Sequence, residues 1–275
     1  SVIGKQTEAI NKLDKNDPEY YVKQGNTTEQ YIAENSIVKV YGSEAAEQVI
    51  DNCFQIFGGY GFIEEYPMAQ AYRDNRINKI WEGTNEINRM LCGRAMITKA
   101  LSGEIGFKEY LEKVDTYCRD NLDSGYEGEF KSEVECIEAA KAVYAICLNE
   151  SLSRHGQDIG TEQMIIENLA NILIFSYVAD STLSRVMQNK DLYSRKNQIV
   201  PELCAKVYTA EQGIRVMEYA NKILNSIYDG EIPSELNDKL NFLSKRLSLT
   251  SDTIGMKKII GEKVVEAGGY PVQSF

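Results

Sequence analysis

Apolar residues recur three and four positions apart along most of the chain, and runs that alternate apolar and polar residues are scarce. This spacing places apolar side chains on one face of an α-helix, whereas alternation would indicate a β-strand. Proline, which interrupts helices, occurs only 5 times in 275 residues. The pattern therefore predicts an all-α fold.

The first 60 or so residues are predicted to form two helices with a polar loop between them. The first helix covers Val2 to Leu13, and the loop covers residues 14–26. A long second helix is expected to open at Thr27 or Thr28, because Thr27 and Gln30 have the spacing of a capping box. Its apolar face consists of Ile37, Val40, Tyr41, Ala45, Val49, Cys53, Ile56 and Phe57.

Glycines are expected to end this long helix, at the sequence Gly58-Gly59-Tyr60-Gly61. A short helix over Met68–Asn75 follows, with Pro67 tolerated in its first turn. A connection with buried Ile77, Ile80 and Trp81 then leads to a further helix. Thr84 or Asn85 can cap that helix, and Ser102-Gly103 ends it.

The remainder of the chain is predicted to be a separate helical bundle with polar joints. Its expected helices are 106–120, 130–154, 161–188, 199–225, 234–246 and 252–267. We accordingly expect two domains, residues 1–103 and residues 104–275.

Charge and cysteine usage narrow the classes of function. The formal net charge of −11 argues against a nucleic-acid-binding protein, which would need clustered Lys and Arg. The six cysteines show no CxxC pair and no nearby histidine, so we expect no metal site and no disulfide framework. Reduced cysteines predict a cytoplasmic location. The chain has no initiator methionine and its pattern opens inside a helix, so we expect it to be part of a longer protein.

Three features between Gln55 and Arg94 could carry chemistry, and each has a simpler structural explanation. The glycines near Gly58 could admit a ligand close to the backbone or merely end a helix. Glu82, beside Trp81, could be a desolvated general base or an ordinary acidic residue at a helix start. The helix N-terminus at residues 84–86 could receive an anion or simply be capped. Taken singly, these features leave both explanations open.

Together, four strings resemble the C-terminal portion of the flavin-dependent acyl-CoA dehydrogenases. They are ENSIVKVYGSEA, QIFGGYGF, EEYPMAQAYRD and RINKIWEGTNEINRML. The resemblance runs from Thr28 to Leu101 without a gap. It implies that the first domain is the second half of the family's C-terminal helical bundle. The residues after Gly103 resemble, more loosely, the helical domain appended in very-long-chain-type members.

The resemblance implies roles for individual residues. Glu82 would be the base that removes the α-proton of an acyl-CoA, with Trp81 where the family usually has Tyr or Phe. Gly83 would lie against the substrate thioester. The residues implied to contact FAD are Thr84, Asn85 and Glu86 in the same subunit, and Gln55, Ile56, Phe57, Gly58 and Gly59 at the partner subunit's FAD. No metal is implied.

The resemblance also implies partners for this chain. They are an acyl-CoA substrate in fatty-acid β-oxidation, an electron-transfer flavoprotein as acceptor, and a second copy of the chain in a homodimer or homo-oligomer. The family's N-terminal and middle domains have no counterpart here, so we expect the chain to be inactive unless they are supplied in cis or in trans. The alternative is a non-catalytic helical scaffold or assembly subunit derived from the same family.

Overall fold

The computed structural model describes residues 2–120, 123–189 and 195–271. Within these ranges the chain is helical and contains no β-strand, so the predicted all-α fold is confirmed. The chain divides between Ser102 and Gly103 into two compact units, which we call the first unit and the second unit.

The first unit contains six α-helices and one 3₁₀ turn. They are α1 (Val2–Asn11), α2 (Tyr20–Glu29), α3 (Ile32–Phe57), α4 (Gly59–Phe62), α5 (Pro67–Arg76), a 3₁₀ turn (Ile77–Lys79) and α6 (Asn85–Ser102). The long helix α3 packs against α6 and α5, so it is the scaffold of this unit.

The predicted start of the long helix was wrong. Thr27 and Thr28 lie inside α2, where their hydroxyls donate to the carbonyls of Lys23 (2.8 Å) and Gln24 (3.0 Å). A threonine hydroxyl that bonds the preceding helical turn is not available as an N-cap. As a result α3 begins only at Ile32, and part of the expected loop is helix α2.

The apolar face of α3 is buried over only part of its length. Ile37 and Val40 are 2 % and 1 % exposed, but Ile56 is 83 % exposed. The expected burial of the connection was also wrong, because Ile77, Ile80 and Trp81 are all about half exposed. The apolar pattern of α3 is thus longer than the part of it that the first unit covers.

The second unit is built from six further α-helices. They are α7 (Phe107–Arg119), α8 (Lys131–His155), α9 (Gln163–Gln188), α10 (Arg195–Ile227), α11 (Ser234–Leu247) and α12 (Thr253–Ala267), with a 3₁₀ turn (Gly156–Thr161) after α8. Helices α8, α9 and α10 pack against one another, α11 packs on α8, and α12 packs on α10. These helices lie close to their predicted positions.

Small residues let the central helices of the second unit approach closely. A Cβ on Gly213 of α10 would lie 2.7 Å from the Cys136 sulfur and 3.1 Å from the Leu247 carbonyl oxygen. Leu148 and Ile166 are fully buried between these helices. The second unit therefore has a dense core of its own.

Two absences can be stated for the described residues. There, no helix is long and apolar enough to cross a membrane. No group of three or more His, Cys, Asp or Glu side chains in the same ranges could hold a metal ion. The six cysteines are free, and four of them are buried.

Candidate functional site

The loop between the 3₁₀ turn and α6 has an unusual backbone at Glu82. Glu82 has φ = 53° and Gly83 has φ = 83°. Glycine adopts such angles freely, whereas a side chain with a Cβ is strained there by about 1–3 kcal/mol. A strained residue of this kind persists only where its surroundings hold it.

Two side chains hold the carbonyl of Gly83. The Lys39 Nζ donates to it at 2.7 Å from α3, and the Asn88 Nδ2 donates to it at 2.9 Å from α6. The Asn88 Nδ2 also donates to the Thr84 carbonyl at 3.1 Å. A Cβ on Gly83 would lie 3.0 Å from that same nitrogen, so the close approach of Asn88 favours glycine.

Asn85, the first residue of α6, anchors the helix start in the interior. It is 1 % exposed. Its Oδ1 accepts a hydrogen bond from Lys39 at 2.7 Å, and its Nδ2 donates to Ser43 Oγ at 2.9 Å and to Glu44 Oε1 at 3.1 Å. Both ends of the amide are thus satisfied by α3, which fixes the start of α6 against α3.

An ion pair strengthens the same junction. Arg89 donates to both carboxylate oxygens of Glu44, at 2.7 Å and 2.9 Å. Burial alone would raise the pKa of Glu44, but these hydrogen bonds outweigh it and hold that pKa below its usual value. The carboxylate is therefore ionised near neutral pH, as a two-pronged contact with a guanidinium requires.

Of the two caps that the sequence predicted for α6, Thr84 or Asn85, the structure shows Thr84. Its Oγ1 accepts a hydrogen bond from the backbone N–H of Ile87 at 3.2 Å. Glu86 lies in the first turn, where hydrogen bonds from its own backbone N–H and from Thr84 lower its pKa. The helix start is capped and carries a negative charge, which suits the positive end of the helix dipole.

Glu82 itself is exposed in this structure. Of the two explanations left open for Glu82, burial beside an indole is not what the structure has, because Trp81 is itself 55 % exposed. Among the described residues, neither the carboxylate nor the backbone N–H of Glu82 has a recorded hydrogen-bond partner. The loop thus presents both groups outward while its neighbours hold its backbone.

The second group of predicted residues lies at the far end of α3. Gln55, Ile56, Phe57, Gly58 and Gly59 are all exposed. Gly58 has φ = 56° and ψ = −138°, a conformation that glycine provides at the end of α3. A Cβ on Gly58 or on Gly59 would meet no atom within 4 Å, so this backbone is open to an approaching ligand.

The two groups of residues lie at different positions along α3, one at its C-terminal end and the other on a loop that contacts it at Lys39. The loop at Gly83 is held near Lys39, whereas Gln55 lies 16 residues further along α3. At 1.5 Å per residue this corresponds to about 24 Å along the helix axis. The two groups therefore form separate surfaces of the first unit.

Sequence reasoning missed the residues that hold the loop. The contacts to Gly83, Thr84 and Asn85 come from residues that were not among the predicted site residues. They are Lys39, Ser43, Glu44 and Asn88. One signal was available, since Lys39 and Ser43 place polar groups one turn apart on a largely apolar helix. That signal alone does not say which loop they contact.

Comparison with known families gives two matches. Residues 8–97 match a sequence model described as "Acyl-CoA dehydrogenase, C-terminal domain", and residues 139–237 match a second model with the same description. The first match lies in the first unit and contains Glu82. The second match lies in the second unit.

Individual relatives agree with these matches. The chain is 29 % identical over 245 residues to a probable acyl-CoA dehydrogenase of Bacillus subtilis, covering 88 % of this chain and 41 % of that protein. It is 32 % identical over 186 residues to the mitochondrial very long-chain specific acyl-CoA dehydrogenase of Bos taurus, covering 60 % of this chain and 28 % of that protein. The chain thus spans less than half the length of either relative.

A solved structure shows the same fold. It is an acyl-CoA dehydrogenase from Bacillus anthracis, crystallised in complex with FAD, with a TM-score of 0.85 and 25 % sequence identity. The similarity covers 96 % of this chain and 45 % of that one. Both units of the chain are therefore matched within a single related protein.

Proposed function

Because the chain belongs to the acyl-CoA dehydrogenase family and corresponds to the C-terminal region of its members, we propose that it supplies the catalytic base and part of the FAD site of such an enzyme. The proposed reaction is the α,β-dehydrogenation of an acyl-CoA thioester, as in fatty-acid β-oxidation. The observation that carries the proposal is Glu82. Its carboxylate and its backbone N–H both lack a recorded partner among the described residues, on a loop that α3 and α6 hold in place.

Glu82 would remove the α-proton of the thioester. That proton is very weakly acidic, so its removal requires a correctly placed carboxylate and a polarised carbonyl. The backbone N–H of Glu82 is available to donate to the thioester oxygen, and Gly83 would let the thioester approach without a Cβ in the way. The exposure of Glu82 in this chain implies that substrate and the remaining enzyme domains supply the desolvation that raises the basicity of the carboxylate.

FAD, when bound, would supply the acceptor for the hydride that leaves the β-carbon. The open backbone at Gly58 and Gly59 fits a flat ligand, and the exposed segment from Gln55 to Phe57 would line the FAD of the partner subunit. At α6, Thr84, Asn85 and Glu86 would face FAD in the same subunit. The Asn85 side chain is occupied by α3, so any contact from this residue to FAD would come from its backbone.

Several partners follow from the same proposal. The chain would act with the family's N-terminal and middle domains, on the same polypeptide or on another, and as a homodimer or higher oligomer. An electron-transfer flavoprotein would reoxidise the enzyme. The six free cysteines support the proposed cytoplasmic location.

The test replaces the proposed base by its neutral amide. In the flavin-loaded enzyme that contains this chain and the remaining dehydrogenase domains, we expect Glu82→Gln to abolish exchange of the substrate α-proton with deuterated water. Flavin absorbance should be unchanged, because Glu82 contributes no buried contact. Glu65→Gln is a matched control, since it removes the same charge from another exposed glutamate of the first unit.

The possible outcomes distinguish the proposed dehydrogenase from the alternative, a non-catalytic helical scaffold. Exchange by Glu82→Gln at close to the wild-type rate would exclude Glu82 as the base. An assembled protein that never acquires flavin absorbance would favour the non-catalytic scaffold instead. Exchange that is lost in Glu82→Gln and retained in Glu65→Gln, at equal flavin content, would support the dehydrogenase.

A further inference from the structure

We propose that Lys39 is a positioning residue for the proposed base, acting through the backbone of the loop that carries Glu82. The inference rests on the function proposed above and adds to it a residue on a different helix. Lys39 lies 44 positions before Gly83 in the sequence, and its Nζ lies 2.7 Å from the Gly83 carbonyl oxygen. The same nitrogen lies 2.7 Å from Asn85 Oδ1.

The two acceptors of Lys39 lie on either side of the start of α6. The Gly83 carbonyl belongs to the peptide between Gly83 and Thr84, just before α6. Asn85 is the first residue of α6. An ammonium group has three donors and can bridge both acceptors at once. Because hydrogen bonds from a charged donor are stronger than neutral ones, this bridge restricts the orientation of the Gly83–Thr84 peptide, one residue after Glu82.

The other contacts to the loop do not replace this one. Asn88 also donates to Gly83, but it lies on α6, the helix that directly follows the loop, five residues after Gly83. Lys39 is the side chain that ties the Gly83 carbonyl to α3 within the described residues. Without Lys39 the Gly83 carbonyl would keep only its bond from α6, although Ser43 and Glu44 would still hold Asn85, and Glu82 could relax from its left-handed backbone conformation.

The charge of Lys39 is directed at neutral groups. Of the carboxylates in the described ranges, none forms an ion pair with Lys39, although Glu44 lies nearby on the same helix and pairs with Arg89. The two recorded acceptors of the ammonium are a backbone carbonyl and a side-chain amide oxygen. A lysine with these partners contributes to the geometry of the loop and not to a charge network.

The test compares two lysines that donate to backbone carbonyls. Lys39→Met removes the bridge, and Lys99→Met removes a similar bond from α6 to the Gln30 carbonyl, which lies at 2.9 Å. Lys39→Arg keeps a charged donor in place. The measurements are α-proton exchange per bound flavin, kcat, KM and flavin content in the assembled enzyme.

We expect Lys39→Met to lower exchange and kcat by about 10- to 100-fold, with KM and flavin content nearly unchanged, since a small displacement of a catalytic group has effects of this size. Lys39→Arg should recover most of the rate, and Lys99→Met should stay within about twofold of wild type on the same physical grounds. Rates that fall only in proportion to lost flavin, or that match Lys99→Met, would overturn the inference. Failure of Glu82→Gln to reduce exchange would instead overturn the proposed function.

Discussion

The two units of this chain use apolar residues in different ways. In the second unit, α8, α9 and α10 bury most of their apolar side chains against one another, including Leu148 and Ile166. In the first unit, α3 buries Ile37 and Val40 but exposes Ile56 near its other end. The three central helices of the second unit therefore cover most of their apolar pattern within the unit, whereas α3 of the first unit leaves part of its pattern exposed.

The first unit contains a buried polar junction between α3 and the start of α6. Asn85 is almost completely buried and bonded to Lys39, Ser43 and Glu44. Directional contacts of this kind fix geometry more strictly than apolar packing does. The difference is that the second unit has an apolar core between its central helices, whereas the first unit has a loop held by polar contacts and an exposed apolar surface at the end of α3.

The largest effect is expected in the core of the second unit. Ile166 is fully buried on α9, and Met164, two residues before it, is 78 % exposed. Ile166→Ala should lower the free energy of unfolding by about 2–5 kcal/mol, because it leaves a cavity. Met164→Ala should change it by less than about 0.5 kcal/mol. Native-state hydrogen exchange of α9, measured by mass spectrometry, checks both values, and equal effects would contradict the assigned core.

A smaller effect is expected at Glu135, a buried carboxylate of α8. It accepts hydrogen bonds from the Ser124 N–H at 2.5 Å, the Tyr117 hydroxyl at 2.9 Å and the Arg246 Nε at 3.2 Å. Burial alone would raise the pKa of Glu135, but these donors hold it below its usual value. Glu135→Gln should therefore cost about 1.5–3 kcal/mol near neutral pH.

The pH dependence of this cost follows from the direction of the shift. A lowered pKa in the folded state adds stability at pH values above the unfolded value of about 4.3, and this stability is lost as pH falls through the folded pKa. The difference in free energy of unfolding between wild type and Glu135→Gln should narrow only as pH falls below about 4.3, as urea unfolding followed by circular dichroism would measure. Glu218→Gln, at an exposed i,i+4 ion pair, is the control. A gap that widens on acidification would refute the assignment.

The smallest effect is expected at the exposed end of α3. Ile56→Ala should change the free energy of unfolding of the first unit by less than about 0.5 kcal/mol. Ile37→Ala, at the buried part of the same helix, should cost about 2–5 kcal/mol. Trp81 is the only tryptophan of the chain, so its fluorescence during urea unfolding reports on the first unit alone. A loss at Ile56 as large as that at Ile37 would remove the contrast between the two units.

Sequence reasoning was most successful where apolar residues are covered by their own unit. The helices expected at 130–154 and 234–246 correspond to α8 (Lys131–His155) and α11 (Ser234–Leu247). In the first unit the same reasoning expected Ile77, Ile80 and Trp81 to be buried, which they are not. A pattern shows which side chains favour burial, but it does not show what covers them.

Two parts of the candidate site followed from local chemistry. Glycines were expected to end the long helix, and α3 does end at Gly58. A cap was expected at Thr84 or Asn85, and Thr84 provides it through residues three apart in the sequence. The role proposed for Glu82 came from the resemblance of a longer segment to a family. The bond from Lys39 to Gly83 joins residues 44 positions apart, and its existence depends on how α3 and α6 pack. No local pattern could have revealed it.

The left-handed backbone of Glu82 has a consequence for how this chain can change by mutation. Replacement by glycine would relieve the conformational strain and favour the folded state, since glycine adopts such angles without penalty. Stability-guided redesign would therefore tend to replace the very side chain that the proposed reaction needs. Glutamate at position 82 makes the loop less stable than glycine would. A library of variants selected for thermal stability alone would therefore lose Glu82, and with it the proposed base.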